Sequence, residues 1–136
     1  MQTKGGNFMS KIANLQIGEY DLTLEVSRTL LMDAFAKHPQ MSNSIAKGEE
    51  ISITNAYDFC KTALFYMAKA QDKDFTKKKA NEIFDYAEQC VVDDEDENGN
   101  QIEIVATDYL VKKIMELVNL GFTKSDNAKK IKITLS

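Results

Sequence analysis

Between Thr54 and Val91 the chain carries two consecutive apolar stripes at helical spacing, and few folds accommodate such a pair. Ala56, Phe59, Cys60, Ala63, Leu64, Met67 and Ala70 recur at three- and four-residue steps, which places them on one face of a 3.6-period helix. Ala80, Ile83, Phe84, Ala87, Cys90 and Val91 repeat the pattern. The link Gln71-Asp72-Lys73-Asp74-Phe75 is short and mostly polar, so the two helices are expected to lie antiparallel. Thr54 or Asn55 is placed to cap the first helix and Thr76 the second. The second helix has charges of the wrong sign at both ends. Lys77, Lys78 and Lys79 crowd its N-terminus, and Asp93, Asp94, Glu95, Asp96 and Glu97 follow its C-terminus, each opposing the helix dipole.

The flanking segments complete an α+β pattern. Leu15 and Ile17, then Tyr20, Leu22, Leu24 and Val26, alternate with polar residues, and Gly18-Glu19 suits the two-residue turn of a β-hairpin. Ser27 caps a helix carrying Leu30, Leu31, Ala34 and Phe35, which Pro39 stops. Residues 40–53 give one or two helical turns around Met41 and Ile45, ended by Gly48, and Ile51 to Ile53 reads as an extended entry. Asn98-Gly99 is a strong hairpin signal, but the arm before it is nearly all carboxylate, which predicts a mobile acidic loop over 93–101 with at most a brief strand at 102–105. A last helix starts at a Thr107 cap and ends at Gly121 as a C′ residue, with Phe122 reaching back to Leu117. Ile131, Ile133 and Leu135 alternate with Lys130, Lys132 and Thr134, a candidate third strand for the N-terminal hairpin.

The expected fold is therefore a mostly helical α+β domain over residues 11–136, with helices near 27–37, 55–71, 76–91 and 107–120 and a small antiparallel sheet. Its core should include Leu22, Leu24, Leu31, Phe35, Phe59, Leu64, Met67, Ile83, Phe84, Ile114 and Val118. Residues 1–10 have no apolar run of the kind a secretory signal needs and are expected to be disordered.

Composition narrows the function. A net charge of −4 opposes nucleic acid as the main partner, because binding phosphates needs a basic face. No run approaches a membrane span. Cys60 and Cys90 lie on apolar stripes and read as buried thiols of a reducing cytoplasm, with a disulfide open only if the two helices register there. His38, the single histidine, sits at a helix end before Pro39, where an imidazolium favours the dipole. No Gly-rich phosphate loop or nucleophile motif is present, so neither catalysis nor a cofactor is expected.

The acidic stretch is the best metal candidate. Asp94-Glu95-Asp96-Glu97-Asn98-Gly99 resembles the start of an EF-hand loop, but position 12 counted from Asp94 is Val105, where a bidentate Glu is required. A solvated acidic loop is the plainer reading, and a calcium- or ligand-responsive module using residues 93–105 is the rival one.

The opening Leu15-Gln16-Ile17-Gly18-Glu19-Tyr20-Asp21-Leu22-Thr23-Leu24, followed by a helix capped at Ser27, resembles the start of tailed-phage tail assembly chaperones. The resemblance covers residues 12–37 by pattern and the remainder by size and helical content; the acidic residue that such helices carry near their middle is matched loosely by Asp33. It implies a non-enzymatic protein of the host-cell cytoplasm that binds the tape-measure protein during tail assembly. The misplaced charges add a self-association hypothesis, in which Lys77, Lys78 and Lys79 of one subunit meet Asp93, Asp94, Glu95, Asp96 and Glu97 of the next in a head-to-tail contact.

Overall fold

The computed structural model describes residues 11–50, 52–123 and 130–135. Strands β1 (Lys11–Ile17) and β2 (Tyr20–Val26) form the N-terminal hairpin. Ile17 pairs with Tyr20, and Gly18 at φ +57 takes the left-handed position that this tight turn needs. Leu22, Leu24 and Val26 of β2 point into the core. Ser27 accepts a hydrogen bond from the Leu30 N–H at 3.2 Å and starts α1 (Arg28–Ala36), whose Leu31 and Ala34 are buried.

Pro39 does more than stop α1. It opens a further helix, α2 (Pro39–Lys47), because proline's missing N–H costs nothing at a first helical position. Gly48 at φ +69 ends it. The described residues thus hold five helices, the four main ones expected and α2 where one or two turns were expected around Met41 and Ile45. The central pair is α3 (Ile53–Lys69) and α4 (Lys77–Glu88). Ser52, not Thr54 or Asn55, caps α3, accepting from the Asn55 N–H at 3.1 Å, whereas Thr76 caps α4 as its position predicts. Phe75, at the end of the polar link, is buried and pins the turn to the core.

Helix α4 ends at Glu88, so Cys90 lies just past it and Val91 opens a strand. This corrects the expected acidic loop: β3 (Val91–Glu95) and β4 (Gln101–Val105) form a second antiparallel hairpin. Gly99 adopts φ +81, and one Asp96 carboxylate oxygen accepts the N–H groups of Asn98 and Asn100, each at 2.9 Å. Those local bonds, with the screening open to exposed carboxylates, outweigh the self-repulsion of the acidic arm.

Helix α5 (Ala106–Phe122) follows directly, without the Thr107 cap. Thr107 is buried in its first turn and its Oγ1 has no hydrogen-bond partner among the described residues. Nor is Gly121 a C′ residue. It lies inside α5, where a Cβ would collide with the Leu31 side chain and crowd Val26, so glycine serves close approach there and not a left-handed turn. Residues 130–135 form no strand, so the expected third strand of the N-terminal hairpin is absent among the described residues. The expected disorder of residues 1–10 falls outside the described residues.

Helix α3 is the centre of the packing, touching α1, α2, α4, α5 and β2. Every expected core residue is buried except Phe35, which is half-buried and stacks on Phe59 with ring centroids 4.4 Å apart. Phe84 is 3% exposed, so Phe84→Ala should destabilise the protein by about 3–5 kcal/mol in denaturant unfolding. A loss under about 1 kcal/mol would contradict the packing of α4 on the core.

Candidate interaction surfaces

The sequence-level candidates fall on two elements. Lys77, Lys78 and Lys79 are exposed in the first turn of α4. Successive helical residues point about 100° apart, so the three side chains fan round the axis rather than forming one patch. The Lys77 ammonium lies 5.8 Å from the centre of the Phe65 ring. The carboxylates sit on the second hairpin, sorted by the two-residue period of a strand. Asp93 and Glu95 point outward from β3 with Val91, and Glu103 does the same from β4 with Gln101 and Val105. Asp93 stands directly opposite Glu103, a like-charge pair of the kind that destabilises a sheet. Val91, at the end of this face, is 58% exposed.

On the other side of the hairpin, Val92, Asp94, Ile102 and Ile104 share one face. Asp94 pairs with Lys112 of α5 at 3.0 Å. The Glu95 backbone N–H and that lysine hold the Asp94 carboxyl below its usual range. Bonds from the Asn100 and Asn98 backbone lower Asp96 likewise. Two of the five acidic candidates are therefore occupied within the chain, and no described ion pair joins them to Lys77, Lys78 or Lys79. Among the described residues no group of three or more His, Cys, Asp or Glu side chains converges as a metal ion would require.

Two apolar recesses were not legible as sites in the sequence. One, of about 320 Å³, lies between the end of β1 and the start of β3, with Leu15, Ile17, Tyr86, Val92, Tyr109 and Leu110 in its lining. The other, of about 450 Å³, is a shallow groove between α1 and α2 lined by Met32, Phe35, Ala36, Ser42 and Ala46. Met32 is 56% exposed there. The signals were present: Asn98-Gly99 for the hairpin that walls the first, and Pro39 at a helix start for the second.

The remaining reactive side chains are engaged or masked. Burial pushes the Cys60 thiol up to about 12, which suppresses the thiolate. Both cysteines are free thiols. His38 Nε2 lies 2.7 Å from Thr62 Oγ1, so the histidine is hydrogen-bonded to a hydroxyl. Tyr57 donates a short hydrogen bond to Asp108 in the first turn of α5, and that bond, followed by burial and the carboxylate charge, raises the phenol to about 12. Since the folded value exceeds the ordinary 10, this contribution to stability is complete below pH 10 and is lost as pH rises toward 12. Asp108→Asn should bring the Tyr57 titration, followed by phenolate absorbance, back toward 10, and a midpoint left near 12 would contradict the assignment.

Comparison with protein-family models, with curated proteins and with solved structures finds no match to this chain.

Proposed function

We propose that this protein is a non-enzymatic tail assembly chaperone of a tailed phage or prophage, which binds the tape-measure protein in the host-cell cytoplasm and holds it soluble while the tail is built. The observation that carries this reading is the open apolar groove between α1 and α2, directly after the hairpin-and-capped-helix segment that bears the family resemblance. A partner helix recognises such a groove by inserting apolar side chains spaced three and four residues apart. Met32 suits that task, because an unbranched thioether repacks against differing partners.

Co-expression with the tape-measure protein of the same gene cluster tests it. Wild-type chain should keep that protein in the soluble fraction. Met32→Asp should lose most of the effect with little change in melting temperature, since an exposed side chain contributes little to stability. A tape-measure protein equally soluble with and without the wild-type chain would contradict the proposal.

A further inference from the structure

We propose that residues Lys130–Leu135 of one copy add as a strand to the free edge of β3 in a second copy. Independently of the chaperone reading, three observations meet here. The first is the tail itself. Ile131, Ile133 and Leu135 are 73%, 87% and 98% exposed, and residues 130–135 form no strand within the chain. A run that alternates lysine with isoleucine is patterned for one apolar and one basic strand face, and in the single chain neither face is covered.

The second observation is the edge. Among the described strands β3 pairs with β4 alone, which leaves its other edge with unpaired backbone groups. Such edges are templates for strand addition, where main-chain hydrogen bonds supply affinity and alternate side chains supply register. The apolar recess of about 320 Å³ lies against β3 and is lined by Val91 and Val92 but by no residue of β4. A strand on the β3 edge therefore meets an apolar recess at the Val91–Val92 end of that edge.

The third is charge. The outward face of the acidic hairpin presents Asp93, Glu95 and Glu103, with the uncompensated Asp93–Glu103 pair at its centre. An added tail strand with Ile131 and Ile133 turned inward necessarily turns Lys130 and Lys132 outward, onto that face. The match works in either strand direction, because the period of two fixes the faces and not the polarity. The edge of β1 fits less well: its outward residues Ile12, Asn14 and Gln16 carry no carboxylate, and on β2 opposite them Asp21 is exposed while Glu25 is buried. Lys77, Lys78 and Lys79 also fit the acidic face less well, since consecutive helical residues diverge.

The contact joins two different surfaces, so a charge exchange can be split between two chains. Sedimentation velocity on the full chain at low salt should show concentration-dependent association that weakens at high salt. Lys130→Glu with Lys132→Glu in one variant, and Asp93→Lys with Glu95→Lys in another, should each weaken self-association by about tenfold or more. An equimolar mixture of the two variants should recover it, because the acidic tail of one now faces the basic edge of the other. Melting temperatures of the variants, compared with wild type, keep the result separate from misfolding. Wild type that stays monomeric at high concentration and low salt overturns the proposal, as does association that neither variant changes. Variants that weaken association without recovery on mixing also overturn it. Monomers throughout, with both variants melting lower than wild type, would instead place the tail on its own β3 edge and overturn the contact between copies.

Discussion

Burial of α3 is the constraint on which the rest of the structure depends. An ordinary surface helix hides one stripe, but here Phe59, Cys60, Ala63, Leu64, Phe65, Met67 and Ala68 are all buried. At about 100° per residue these positions span roughly two thirds of the helix circumference. No single neighbour can cover that arc. The α1 and α2 helices, α4, α5 and the inner face of β2 each take part of it, so every other main element is placed by the side of α3 it protects. Alanines at Ala63, Ala68, Ala80 and Ala87 keep the α3 and α4 side chains small where both helices are buried. Gly121 extends the same logic to α5, which approaches so closely that a Cβ there would displace the Leu31 side chain and crowd Val26.

What this centre leaves over is peripheral and open. The two hairpins lie in separate two-stranded sheets, and isolated pairs of strands are marginal unless something packs against them. The N-terminal hairpin is secured by burying Leu22, Leu24 and Val26. The acidic hairpin has less: a half-buried Val92 and Ile104, the Asp94–Lys112 ion pair and the Asp96 turn bonds. A solvent-screened ion pair of that kind adds little, so this hairpin is the element with most to gain from a partner. Its carboxylates, free edge and adjoining recess therefore belong together as one surface.

The parts of the fold that were legible in the sequence are those set by local chemistry and strong periodicity. The N-terminal hairpin, the Ser27 and Thr76 caps, the stop at Gly48 and the paired central helices all follow from spacing and turn residues. The failures share a cause, which is that two local signals competed and tertiary context chose between them. Asn98-Gly99 competed with a run of carboxylates, and the turn won because Asp96 satisfies its backbone. At Gly121 a helix-ending residue competed with a packing need that no single-chain pattern displays. Ser52 displaced Thr54 as a cap by two residues, a shift that apolar periodicity cannot resolve. The candidate surface was half legible: the charges opposing the α4 dipole stand out in the sequence, but their sorting onto one face of a strand needed the hairpin to be known.

The central claim is that α3 is the buried axis about which the other elements are arranged, with the acidic hairpin as its least anchored attachment. Native-state hydrogen exchange measures this residue by residue. The slowest amides should be those of Phe59 to Ala68, exchanging only with global unfolding, while amides of β3 and β4 exchange through a cheaper local opening. Protection in α3 below that of the acidic hairpin would contradict the account.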